Sequence, residues 1–189
     1  MNPRSTSRET ILETCRAIVR EQGLSGVSVR SVASACGVAP GTLYNYFPGK
    51  EALVLAVTAD VWSDILSFDA GKDNCDEKDF ASHVERAFRS AQAGMARYPG
   101  FLPAHALGLT KERDQRFEGK EMMQTFIGQL ESSMLSALES DNGVREDAFD
   151  DGLTKEGLAE LVTQQLISLL VLGRGDCKAL NAMIRKVLY

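Results

Sequence analysis

Apolar residues recur at intervals of three and four along this chain, and no stretch alternates apolar with polar residues as a half-buried strand would. No two-residue hairpin signal appears either. The pattern therefore predicts an all-α fold. A first helix is expected from Ser7 to Gly23, with Ile11, Leu12, Cys15, Ile18 and Val19 on one stripe. A second starts near Ser28, a good N-cap, and stops at Gly37. A third covers Pro40 to Phe47. A fourth begins at Pro48-Gly49-Lys50 and runs through Leu53, Val57, Val61, Trp62 and Ile65.

Further on, Gly71 to Asp79 reads as a polar loop, followed by a helix from about Asp79 to Tyr98, stopped by Pro99. A long helix is expected over roughly Glu112 to Glu139. The acidic stretch Ser140 to Gly152 is expected to be a mobile loop. Two last helices cover about Lys155 to Leu172 and Asp176 to Leu188, divided by Gly173 to Gly175. No repeat or low-complexity tract interrupts the series.

Composition removes several function classes. With 189 residues, 44% hydrophobic and 25% charged, the chain can bury a core and is not disordered. The longest apolar run, Leu166 to Gly173, is too short to span a bilayer. The N-terminus has no apolar leader, so a cytoplasmic location is expected. Cys15, Cys36, Cys75 and Cys177 show no CxxC spacing, and His83 and His105 are the sole histidines. No metal site and no cofactor are expected, and the thiols read as reduced. No Gly-rich phosphate loop, GxSxG or HExxH is present, so the chain is not expected to be an enzyme.

The net charge of −5 is unevenly spread. Residues 1–50 hold six basic residues (Arg4, Arg8, Arg16, Arg20, Arg30, Lys50) against three acidic ones (Glu9, Glu13, Glu21), a net of +3. Residues 51–189 hold 15 basic and 23 acidic residues, a net of −8. A polyanion is expected to dock on the N-terminal quarter.

That quarter also holds VAPGTLYNYFPGKEAL, Val38 to Leu53, where two Pro-Gly pairs flank an aromatic-rich segment. Pro40 suits the first position of a helix, and Pro48-Gly49 ends it. Val38 and Leu43 are placed to form a hydrophobic staple. On a wheel of ~100° per residue, Leu43 and Phe47 face inward. Gly41, Thr42 and Asn45 face outward, with Tyr44 and Tyr46 on the shoulders. The outward face has no acid and is shaped to meet a phosphate backbone while offering polar groups to base edges. Ala33, Gly37, Val38 and Leu43 have the spacing of a helix-turn-helix. Ser28 and Arg30 begin the first of its helices. Lys50 opens the fourth helix, where backbone N–H groups also suit a phosphate oxygen.

The stretch SVRSVASACGVAPGTLYNYFPGKEALV, with SRETILETCRAIVREQG before it, resembles the TetR-type transcriptional regulators over about residues 7–65. The resemblance implies a helix-turn-helix DNA-binding domain over 1–50 and a helical effector-binding and dimerisation domain over 51–189. It implies DNA contacts by Gly41, Thr42, Tyr44, Asn45 and Tyr46, with Ser28, Arg30 and Lys50 on phosphates. Tyr46 stands where many relatives have histidine. Tyr44 is open between packing and phosphate contact.

By the same resemblance, Trp62, Phe88, Met95, Tyr98, Phe101, His105, Met122 and Phe126 sit on helices around an effector cavity. For each of them taken singly, ordinary core packing is the favoured reading, and His105 reads as a satisfied core histidine before a ligand contact. In the Lys155 to Leu172 helix, Leu161, Leu166, Ile167, Leu169, Leu170 and Val171 cover more than one stripe. Such a helix needs two partners, its own core and a second subunit. A homodimer through about residues 155–188 is expected. The function implied is that of a ligand-responsive repressor on a pseudo-palindromic operator. The rival reading is a helical adaptor that keeps the fold without specific DNA binding.

Overall fold

The computed structural model describes residues 6–65, 79–99, 101 and 113–189, the side chains of the last segment from residue 124 onward. All regular structure among them is helical: α1 (Arg8–Gln22), a 3₁₀ turn (Leu24–Gly26), α2 (Val29–Cys36), α3 (Pro40–Leu43), α4 (Lys50–Ile65), α5 (Phe80–Ala96), α6 (Arg113–Glu139), α7 (Lys155–Val171) and α8 (Lys178–Leu188). Met1–Leu66 with Gly94–Met122 form one compact unit, and Ser67–Ala93 with Met123–Tyr189 form the other.

In the first unit, helix boundaries follow local chemistry. The Ser7 hydroxyl accepts from the Thr10 N–H and caps α1, and Gly23 ends it at φ 70°. Ser28 and Ser31 form a reciprocal capping box at the start of α2. The Ser31 hydroxyl also reaches the Gly26 carbonyl at 2.8 Å, fixing the 3₁₀ turn that sequence periodicity did not reveal. The core joins Ile11, Cys15, Ile18 and Val19 of α1 to Val32 and Ala33 of α2, Leu43, Phe47, and Leu53, Val57 and Val61 of α4. Each large aliphatic side chain buried here contributes about 1.5–3 kcal/mol. Burial, with smaller contributions from Cys36 and Asp60, pushes the Cys15 thiol up to about 12. It stays protonated and packs as a small apolar side chain.

Helix α5 approaches α4 closely. A Cβ on Gly94 would lie 2.5 Å from the Ile65 carbonyl oxygen and 2.8 Å from its Cα. Only glycine fits there, because the obstacle is backbone.

The second unit has its own core, built from Phe80, Val84 and Phe88 of α5, Met134 and Leu138 of α6, Leu158, Val162 and Leu166 of α7, and Leu180, Ile184 and Leu188 of α8. The stretch between α6 and α7, expected to be mobile, is a series of hydrogen-bonded turns. The Asp150 carboxylate accepts from the Gly152 and Leu153 N–H groups, and Ala148 is buried. The Arg145 N–H donates to the Leu188 carbonyl, tying this stretch to α8. At the chain end, the Tyr189 hydroxyl donates to Asp141, whose carboxylate also accepts the Phe80 N–H at 2.7 Å. Local acidity gave no sign of these anchors, which come from residues far apart in sequence.

Candidate nucleic-acid interface

The turn between α2 and α3 is made by Gly37, in the left-handed region at φ 67°, ψ 32°. Its N–H bonds to the Ser34 carbonyl at 3.2 Å, and the Val38 N–H to the Ala33 carbonyl at 3.0 Å. This is a Schellman turn, and it ends α2 just before Pro40 opens the next helix. Ala39 is extended and Pro40 opens α3. The α-helical part ends at Leu43, shorter than the expected Pro40 to Phe47. Asn45 and Tyr46 donate to the carbonyls of Thr42 and Leu43 in i→i+3 bonds, and the Phe47 N–H donates to the Leu43 carbonyl at 2.9 Å in an i→i+4 bond, so the remainder is a mixed turn rather than regular α-helix. The reason is local: Pro48 cannot continue an α-helix, and only one full turn separates it from Leu43.

The inward face is as the wheel requires, with Leu43 1% and Phe47 3% exposed. Gly41, Tyr44, Asn45 and Tyr46 are exposed and Thr42 is half-buried. A Cβ on Gly41 would meet nothing within 4 Å. Nothing among the described residues requires a glycine there, although an exposed helical glycine costs up to about 1 kcal/mol relative to alanine. Arg30 and Lys50 are exposed on either side of this segment. Ser28 is half-buried and its hydroxyl already serves the capping box.

Three of the basic residues counted from sequence are engaged within the unit, Arg8 over the Phe47 ring at 5.3 Å. Arg16 Nε lies 3.4 Å from Asp60 Oδ2, an ion pair without hydrogen-bond geometry. Arg20 Nη2 donates to the Tyr98 hydroxyl at 3.2 Å, and its guanidinium stacks over the Tyr98 ring at 5.2 Å. Tyr98 donates onward to Asp64 Oδ2 at 2.8 Å. Arg97 grips the same residue through Nε to Oδ2 at 3.2 Å and Nη2 to the carbonyl at 2.6 Å. Burial alone would raise the Asp64 carboxyl, but the Tyr98 hydroxyl and the arginines hold it below its usual value. This cluster was not legible in the sequence, where Arg20, Asp64 and Tyr98 share no spacing rule.

Of the residues expected to surround an effector, Trp62, Tyr98 and Phe101 are buried in the first unit. Trp62 and Phe101 meet edge to face at 5.6 Å between centroids. The Trp62 Nε1–H is buried and has no hydrogen-bond partner among the described residues. Met95 is half-buried in the same unit. In the second unit Phe88 belongs to the core and Phe126 is half-buried. His105 and the Met122 side chain lie outside the described residues. Among the described residues, no three His, Cys, Asp or Glu side chains are grouped to hold a metal ion, and no helix is long and apolar enough to cross a membrane.

A Schellman turn joining two short helices, the second presenting an exposed acid-free face, defines a helix-turn-helix protein. Residues 11–57 match the family described as bacterial regulatory proteins, tetR family. Over 51 residues the chain is 39% identical to the HTH-type transcriptional regulator UidR of Escherichia coli K12, covering 27% of this chain and 26% of that one. Over 58 residues it is 40% identical to the HTH-type transcriptional repressor KstR of Mycobacterium tuberculosis, covering 31% and 26%. The matched part thus spans about a quarter of the length of these relatives. Solved structures extend the likeness of fold to the whole chain. A TetR transcriptional regulator from Legionella pneumophila superposes at TM-score 0.61 and 17% identity over 100% of both chains. The fatty acid degradation regulator FadR from Bacillus halodurans does so at 0.59 and 16%, over 96% of this chain and 95% of that one. Residues 11–57 are thus similar to the tetR family, and the fold is that of these solved regulators.

Proposed function

We propose that this protein is a cytoplasmic DNA-binding transcriptional regulator, a ligand-responsive repressor that binds a pseudo-palindromic operator as a homodimer. The observation that carries this reading is the exposed face of Gly41, Thr42, Tyr44, Asn45 and Tyr46, flanked by Arg30 and Lys50. No described residue would meet a Cβ on Gly41 within 4 Å, which suits close approach of a sugar-phosphate backbone. Ser28, Arg30 and Lys50 would meet phosphates, and Thr42 and Asn45 base edges. DNA binding is assigned to residues 1–50, and effector binding and dimerisation to 51–189.

Dimerisation through α7 and α8 is supported by Leu161, Val171, Leu172 and Met183, all 43% or more exposed. Two recognition helices would then enter major grooves about one turn, ~34–36 Å, apart. The effector would lower DNA affinity by binding better to a conformation with another spacing. Trp62 lies beside Phe101, and its indole N–H, without a partner among the described residues, supports a polar contact to such an effector. Phe88, Met95, Tyr98, Phe101, His105, Met122 and Phe126 complete the proposed ligand set.

The test is selection of genomic DNA by the purified protein at low and at physiological salt. Fragments that share an inverted repeat and persist at physiological salt are expected. No enrichment, or enrichment only at low salt, favours the adaptor reading. Sedimentation at micromolar concentration is expected to give a dimer, and a monomer would refute the interface.

A further inference from the structure

We infer that Arg8 is a phosphate-contacting residue of the DNA interface, held in place by the ring of Phe47. The inference rests on the proposed DNA-binding function and adds a contact from α1, outside the helix-turn-helix. The Arg8 guanidinium lies 5.3 Å from the centre of the Phe47 ring, inside the ~6 Å range of a cation–π contact. Phe47 is fixed in the core at the end of the recognition segment, whereas Arg8 is exposed. The backbone before Arg8 is fixed as well. The Tyr46 hydroxyl donates to the Thr6 carbonyl at 2.5 Å, and the Ser7 hydroxyl accepts from the Thr10 N–H.

The three arginines of α1 differ in what they face. Arg16 and Arg20 are spent on Asp60, Asp64 and Tyr98. Arg8 forms no ion pair among the described residues. The carboxyl of Glu9, its neighbour in sequence, is held below its usual value first by its own backbone N–H, then by the Ser7 hydroxyl, and only last by the Arg8 charge. A contact with a ring face leaves guanidinium N–H donors for oxygen acceptors. Lys50, already proposed to meet a phosphate, follows Phe47 by three residues. Its Cα therefore lies within about 11 Å of the Phe47 Cα. Two cations thus border the end of the recognition segment, and no acidic residue stands between Asn45 and Lys50. Arg8 sits at the margin of that segment, beside its inward residue, and not on the outward face of Gly41, Thr42 and Asn45. A phosphate oxygen fits that place better than a base edge. Held against the ring, the side chain also loses less rotamer freedom on binding than a fully solvated arginine would.

The experiment titrates operator DNA, recovered by genomic selection, with the full-length parent, R8Q, R8K and R174Q. Arg174 is exposed in the second unit, so R174Q removes the same charge from elsewhere. R8Q is expected to weaken binding about two- to fivefold at physiological salt, the worth of one exposed ion pair. It should lower the salt slope by about 0.9, so that its loss is about 3.5-fold larger at about 50 mM than at about 200 mM salt. R8K should keep the slope, and R174Q should bind as the parent does. Replacing operator phosphates one at a time by neutral methylphosphonates should reveal a position that weakens the parent and leaves R8Q unaffected. R8Q binding as the parent does would overturn the inference, and so would the absence of any such phosphate. An equal loss in R174Q would assign the effect to overall charge, and a slope lost in R8K would assign it to the packing of α1; either overturns the contact. If no operator is recovered, the DNA-binding reading falls and this inference with it. If one is recovered and R8Q leaves the salt slope unchanged, only this inference falls.

Discussion

The Tyr98 hydroxyl donates to Asp64 Oδ2 at 2.8 Å while accepting from Arg20 Nη2 at 3.2 Å, so one phenol joins α1 to α4. Tyr98 is 2% exposed, while its partners Arg20 and Asp64 remain partly open to solvent. The same side chain packs near Phe101, which stands edge-on to Trp62.

Tyr98→Phe removes one donor from Asp64 and one acceptor from Arg20. The expected loss is about 0.5–1.5 kcal/mol of unfolding free energy, the range for one hydrogen bond whose partners keep other contacts, measured by urea denaturation. The Asp64 carboxyl is held below its ordinary value, so it contributes stability above the carboxylate range and loses it as pH falls through its depressed folded value. Tyr98→Phe raises that folded value. Acid unfolding of the variant should begin at higher pH than in the parent.

Gly94→Ala places a Cβ 2.5 Å from the Ile65 carbonyl oxygen. A backbone shift is needed, and the expected cost is about 1–3 kcal/mol despite the better helix propensity of alanine. Gly128→Ala in α6, where a Cβ meets nothing within 4 Å, is the control. It should stabilise by about 0.5–1 kcal/mol. Equal shifts of thermal midpoint in the two variants would refute the close approach.

Gly41→Ala should separate folding from binding. The free protein has room for the methyl group, so stability is expected to rise by up to about 1 kcal/mol. Affinity for operator DNA should fall, because the methyl group occupies the space proposed for the DNA backbone. A variant that is more stable and binds equally well would remove Gly41 from the interface.

His83 has its pKa lowered, first by burial and then by the Arg86 charge, and its Nε2 lies 3.3 Å from the Ser133 hydroxyl. The folded protein therefore prefers the neutral ring. Its contribution is complete above the unfolded value near 6.5 and is lost as pH falls through the depressed folded value. The urea midpoint should decline between pH 7.5 and 5.5 in the parent and decline less in His83→Gln. An identical decline in both proteins would assign the effect to other groups.

Much of the first unit was legible because its signals are local. Ser7, Gly23, Ser28, Gly37 and Pro40 each act on backbone within four residues, and each marks a helix end in the structure. The inward pair Leu43 and Phe47 followed from period alone. The length of α3 did not, because a competition between α and 3₁₀ hydrogen bonds over four residues is too finely balanced for a wheel to decide. The anchors of the 140–152 stretch were missed because acidic composition says nothing of an Asp150 carboxylate bonded to neighbouring amides or of a backbone bond to Leu188.

The sequence by itself determined that the chain is helical, where most helices start and stop, and which face of the recognition segment is exposed. These follow from periodicity and capping, which operate between residues three or four apart. Tertiary structure decided which charges remain available to a polyanion. Of the six basic residues before position 51, Arg16 and Arg20 are turned inward to Asp60, Tyr98 and Asp64, and Arg8 lies over Phe47. It also decided that Tyr46 bonds to Thr6 and that Gly94 admits no side chain. Contacts between residues dozens of positions apart depend on how whole helices dock, and no local pattern in the chain encodes that distance.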